Sequence, residues 1–168
     1  MMLSMYQASA PRFTHMLSNL SAILQKAEEQ AAARKFDPTV LLAARLYPDM
    51  LPLLRQVQIA CDNAKGPVAR LAGVEPPKHE DSEQSFADLQ ARITKTIDFI
   101  SSVAANQIDG SEDRDIQLKV GPRELRFTGM QYLFGFALPN FYFHVVTAYD
   151  ILRHNGIELG KRDYLGEI

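Results

Sequence analysis

The sequence predicts an all-α protein: a four-helix bundle with a short extra helix and a small β-hairpin ahead of the last helix. Three observations lead there. Four long segments carry apolar residues at alternating three- and four-residue steps. Only one stretch, residues 116–127, alternates with the two-residue period of a half-buried strand. The 168 residues, 46% hydrophobic and 23% charged, supply one core of ordinary domain size. A single domain over 1–168 is therefore expected.

The first helix is expected over 11–34. Pro11 suits a first-turn position, where the missing N–H would have no intrahelical partner. Phe13, Leu17, Leu20, Leu24, Ala27 and Ala31 form its apolar stripe. Asp37-Pro38, an N-cap followed by proline, starts a short helix over 38–46. Tyr47-Pro48 breaks it, because the residue before proline avoids helical geometry. The second long helix is expected over 48–71, with Met50, Leu54, Val57, Cys61, Ala64, Val68 and Leu71 as a bundle seam. Pro67 is expected to kink its last turn and Gly73 to stop it.

Residues 74–83 read as a loop through Pro76-Pro77. Ser85 and Asp88 form a capping arrangement for the third helix, which runs to 103 with Phe86, Leu89, Ile93, Ile97, Ile100 and Val103 on its stripe. Residues 106–114 are polar, with a turn at Asp109-Gly110. Ile116, Leu118 and Val120, then Leu125 and Phe127, alternate with polar residues about Gly121-Pro122, which predicts a hairpin with one buried face. Thr128-Gly129 introduces the last helix and Gly156 ends it. Its segment 134–156, FGFALPNFYFHVVTAYDILRHNG, is apolar on nearly every side and is expected to be buried on most faces. The tail is expected to pack through Ile157, Leu159, Tyr164 and Leu165.

Composition excludes several classes of function. The net charge of −2, with Lys and Arg dispersed, argues against nucleic acid as a partner. Cys61 is the only cysteine, which forbids an intramolecular disulfide and fits a reducing compartment, so a cytoplasmic protein is expected. The opening residues MMLSMYQASAPRF lack the basic and apolar regions of a secretory signal. Residues 132–152 are long enough to cross a bilayer, but Pro139, Asn140, His144 and Asp150 interrupt them, so no membrane span is expected. No phosphate-binding glycine loop, H-E-x-x-H, G-x-S-x-G or paired C-x-x-C is present.

The best lead is Asn140 with His144, four residues apart and hence on one helix face. In a bundle core they either bind a metal or polar ligand or are satisfied by internal hydrogen bonds. Asp62 flanks the seam of the second long helix, with Gln58 one turn earlier. It either faces His144 across the core, where a carboxylate orients an imidazole, ligates metal and raises the histidine pKa, or it pairs with Lys65 or Arg55 in solvent. Cys61, among apolar seam residues, reads as an inert buried thiol. His79 is expected to be solvated, His154 to complement the dipole at a helix end, and His15 to lie off its helix stripe. The aromatics Tyr132, Phe134, Phe136, Phe141, Tyr142, Phe143 and Tyr149 exceed what a core of this size holds, so some should line a pocket or a homodimer interface. Tyr142, Tyr149 and Cys61 are the candidate pocket-lining residues.

The order of elements resembles the DinB/YfiT-like superfamily, metal-dependent bundles with a hairpin before the last helix. The segments MYQASAPRFTHMLSNLSAIL, PDMLPLLRQVQIACDNAKGPVARLAG, FALPNFYFHVVTAYDILRHNG and GKRDYLG are similar to a branch of it, domain-of-unknown-function family nineteen-ninety-three. The resemblance covers almost the whole chain. It implies a divalent metal held by three histidines, one on the second helix and two, at i and i+4, on the last. Aligned on residues 152–156, His144 matches the second of that pair and Asn140 stands at the first. The second helix has no histidine, and Gln58 or Asp62 is the nearest polar substitute. The resemblance thus implies one zinc, nickel or manganese ion on some of His144, Asp62, Asn140 and Gln58, within an internal polar pocket. His144 is then the candidate catalytic residue of a degenerate hydrolase or transferase. Two alternatives stand beside this reading: a non-catalytic small-molecule binding or stress-response module, and a structural dimer without a ligand. With two of the three ligands changed, the thiol-dependent transferase activity of some relatives does not carry over.

Overall fold

A computed structural model describes residues 3–167. In chain order the elements are α1 (Met5–Ala8), α2 (Ala10–Ala33), α3 (Thr39–Leu42), α4 (Leu53–Ala72), α5 (Phe86–Ser102), α6 (Ala105–Ile108), β1 (Ile116–Val120), β2 (Arg123–Phe127), α7 (Gly129–Tyr132), a π-turn (Leu133–Ala137), α8 (Leu138–His154) and α9 (Lys161–Leu165). The four long helices α2, α4, α5 and α8 form the bundle. α4 packs broadly on both α8 and α5, and α2 closes the ring against α5, α8 and the terminal α9. The predicted stripes meet in one cluster that includes Phe13, Leu17, Leu24, Val57, Leu89, Ile93, Phe141 and Val145. Phe13 and Phe141 meet edge to face, with ring centres 4.9 Å apart.

The helix ends follow local chemistry. Ser85 accepts from the Asp88 N–H while the Asp88 carboxylate accepts from the Ser85 N–H, a closed capping box at the start of α5. Thr128 and Gln131 do the same for α7. Gly73 ends α4 at φ 72°, a left-handed position that favours glycine. Ser4 and Gln7 cap the one-turn α1, which periodicity over so few residues did not predict.

Three boundaries differ from expectation. α4 begins at Leu53 rather than at residue 48, because a second proline, Pro52, holds extended backbone as its N-cap. Leu53 therefore leads the buried seam, with Leu54 half-buried beside it. The short helix is cut to Thr39–Leu42. The last helix is not one α-helix from residue 129: it widens into the π-turn, where the Leu138 N–H reaches the Leu133 carbonyl. The widening ends just before Pro139, whose nitrogen cannot donate and whose ring crowds the carbonyl four residues back.

The hairpin turns at Gly121-Pro122 as expected, with Ile116 opposite Phe127 and Val120 opposite Arg123. Its apolar face is covered only at the base: Ile116 is buried, whereas Val120 near the turn is exposed. The expectation that α8 is buried on most faces is corrected. Phe143 is 58% exposed and Val146 38% exposed, so one apolar side of α8 faces out of the bundle. Phe141, Val145, Ala148, Ile151 and Leu152 fill the core from the opposite side.

Candidate functional site

α4 and α8 place the histidine lead. On α4, Gln56 follows Leu53 by three residues and precedes Ala60 by four, which turns it toward the core; it is 2% exposed. The Gln56 Nε2 donates to the Leu51 carbonyl at 3.0 Å, tying its side chain to the strand of chain that enters α4. That carbonyl can only accept, so the Gln56 amine faces it and the Gln56 oxygen faces the other way. The oxygen lies 2.7 Å from His144 Nδ1. His144 must therefore donate from Nδ1, which in the neutral ring leaves Nε2 as an unprotonated acceptor. Burial pushes the His144 pKa below its usual value, and no charged neighbour contributes to the shift. The imidazole is thus neutral, oriented and half-buried, with Phe143 edge-on to it at 5.2 Å between ring centres.

Asn140 lies one turn before His144, where α8 leaves the π-turn. Its Nδ2 donates to the Phe136 carbonyl at 2.7 Å. The amide is thus spent on backbone of its own helical run, four residues back.

Asp62 and Gln58 belong to a different cluster, between α4, α5 and the 74–85 loop. Its hub is Arg92, a guanidinium with a side chain 2% exposed. Arg92 pairs with Asp62 at 3.0 Å, Asp81 at 3.0 Å and Glu83 at 2.9 Å, and donates to the Glu80 carbonyl at 3.1 Å. Lys65, itself nearly buried, adds a second cation 2.6 Å from the same Asp62 oxygen. Gln58 is 1% exposed and bridges Arg55, at 2.6 Å, to Glu83, at 2.7 Å. Burial by itself pushes the Glu83 carboxyl up, but Arg92 and Gln58 hold it below the usual range. The Arg55 hydrogen bond does the same for Asp81. A buried arginine with three carboxylates is compensated in charge, and it locks the loop onto two helices.

The four residues expected around one metal are therefore split. The structure brings Asp62 and Gln58 together, and sets His144 with Gln56 instead. Among the described residues no group of three His, Cys, Asp or Glu side chains is gathered as a metal would require. The donor chemistry agrees. Asp62 is claimed by two cations, Gln58 by Arg55 and Glu83, and His144 stands with two amides and no carboxylate. These residues do not fit a divalent-metal triad.

The pocket candidates also part company. Cys61 is fully buried in the seam, and burial pushes its thiol up to about 12. Tyr142 lines a groove of about 760 Å³ with Arg12, His15 and Met16. Tyr149 packs edge-on to Tyr164 of α9. His79 is half-buried rather than solvated. Sequence reasoning missed Gln56, Arg92 and Glu83. Arg92 had a readable signal, since it sits three residues after Leu89 and four before Thr96, on the inward side of its helix.

The ring of four long helices with a hairpin before the last defines a DinB-like bundle. A crystal structure of a DinB family member protein from Shewanella denitrificans is 43% identical to this chain, covers 97% of it and 92% of its own length, and superposes with a TM-score of 0.88. The chain belongs to the family described as Domain of unknown function (DUF1993), whose model matches residues 5–165. No curated protein matches the sequence.

Proposed function

We propose that this DinB-like protein is a small-molecule binding module that works at the His144 site without a divalent metal. The observation that carries the reading is the 2.7 Å Gln56–His144 hydrogen bond. It fixes a neutral imidazole whose Nε2 accepts a proton donor from a ligand, such as a hydroxyl, amide or ammonium group. A cytoplasmic location suits a chain whose single thiol is buried and unpaired. The test is elemental analysis of untagged protein, wild type beside His144→Ala, after incubation with zinc, nickel and manganese. Both should carry far less than one equivalent of metal. A metabolite thermal-shift screen should then give hits that survive chelator and vanish in His144→Ala. Near-stoichiometric metal in wild type, lost in His144→Ala, would restore a reworked metal site and defeat the proposal.

A second reading, a homodimer, rests on the outward side of α8. Phe143 and Val146, three residues apart and both exposed, form an apolar strip beside His144. Met130 and Phe134, also exposed, add apolar surface at the start of the same helical run. A second copy laid along this strip covers it and narrows access to His144.

A further inference from the structure

Between the 74–85 loop and α5 lies a cleft of about 500 Å³. It is separate from the His144 site. Its lining includes His79 and Ser82 from the loop, Arg92 and Lys95 from α5, and Lys78 at the rim. Several of its polar groups are already committed. Glu83 is held by Arg92 and Gln58, and Asp88 accepts from the N–H groups of Gln84 and Ser85.

The groups without partners are mostly donors. Arg92 is 3% exposed, and its Nε–H is buried without a hydrogen-bond partner although both terminal nitrogens are engaged. His79 Nδ1 is likewise buried and unpartnered. Lys78 and Lys95 are exposed and make no ion pair among the described residues. Against these stand two exposed carboxylates on the lining, Glu80 and Asp88, of which Asp88 is already engaged by the Gln84 and Ser85 N–H groups. A buried N–H aimed at no acceptor is rare in folded proteins, and an anion offering oxygens satisfies it with a charge-assisted bond.

We propose that this cleft binds a small oxyanion of the phosphate class, through the Arg92 Nε–H, His79 and the Lys78 and Lys95 ammonium groups. The surroundings of His79 agree with it. Burial first, then the cations Lys65 from α4 and Arg92 and Lys95 from α5, hold its pKa below the usual value, against a smaller opposite pull from Asp62. A bound dianion would reverse part of that effect, so His79 should gain a proton when the cleft fills.

The experiment is titration of the full chain with inorganic phosphate, and in parallel with glycerol 3-phosphate, at constant ionic strength. The readouts are calorimetry and the NMR titration of the His79 ring. Saturable binding with a Kd of about 1 mM or tighter is expected. It should weaken about tenfold in Lys95→Gln and in His79→Ala, which lie off the core and keep the Arg92 ion pairs. The His79 titration should move to higher pH on binding. Tighter binding of glycerol 3-phosphate assigns an organic phosphate as ligand; equal or weaker binding assigns the free anion. The proposal is overturned by heats that never saturate, by equal affinity in both variants, or by a His79 titration that phosphate leaves in place. Arg92→Lys, which keeps the charge and deletes the Nε–H, adds a check once its thermal unfolding matches wild type.

Discussion

At the scale of single residues, the chemistry is decided by which partner each polar group takes. Gln56 orients His144 because the Leu51 carbonyl has already claimed the Gln56 amine. The partly buried place of His144 was legible from its apolar neighbours, but its partner was not. Periodicity says that Gln56 points inward, not which inward polar groups meet across two helices. Asp62 had two open readings, and the Lys65 pairing is present, joined by an arginine from α5. The depressed His144 pKa makes stability depend on pH. Below about 6.5, the usual histidine value, the unfolded chain binds a proton that folded His144 resists. Its stabilising effect is therefore full above that value and is lost as pH falls toward the lowered folded pKa. Urea denaturation at about pH 8 and about pH 5.5 should show lower stability at the acidic point, with a smaller difference in His144→Gln. Part of the difference should persist in that variant, because His79 is shifted in the same direction. An unchanged difference would show that His144 is not the group resisting protonation.

At the scale of elements, the four helix stripes, the α5 and α7 caps, the hairpin turn and the Gly73 and Gly156 stops were all readable, because each rests on residues within one or two turns of each other. What was not readable depends on competition between neighbouring signals. Two prolines, Pro48 and Pro52, both bid to start α4, and the later one won. The π-turn has no short sequence signature; only Pro139 hints at it, and a proline there is equally at home in the first turn of a new helix. Gly129 carries a constraint visible only in three dimensions. A Cβ on it would sit 1.9 Å from the Ser111 carbonyl oxygen, so the start of α7 and the 108–114 turn cannot both stay in place around a side chain. Gly129→Ala should lower stability by more than about 2 kcal/mol, measured by chemical denaturation. An unfolding midpoint within error of wild type would mean that the two segments separate at little cost.

At the scale of the whole molecule, the bundle is asymmetric in how it uses its last helix. One side of α8 closes the core and the other leaves Phe143 and Val146 uncovered. A surplus of aromatic residues was visible in the sequence, but which of them face outward followed only from the helix's rotation in the ring. If a second copy covers that strip, sedimentation equilibrium should report a dimer that Phe143→Asp converts to monomer, with circular dichroism unchanged. A wild-type monomer at all concentrations would remove the self-association reading and leave the strip to another partner. No described helix is long and apolar enough to cross a membrane, in keeping with the polar interruptions along α8. The π-turn has a consequence on this same scale. Each residue of an α-helix advances the chain by about 100° of rotation. Five residues wound wide, Leu133–Ala137, act as a phase adjuster between the hairpin and the bundle. Deleting one of them would turn the hairpin to a new azimuth relative to α8 and would also pull Tyr132, Leu133 and Ala137, all buried, out of place, so this short stretch ties the aim of the appendage to the packing of the interior.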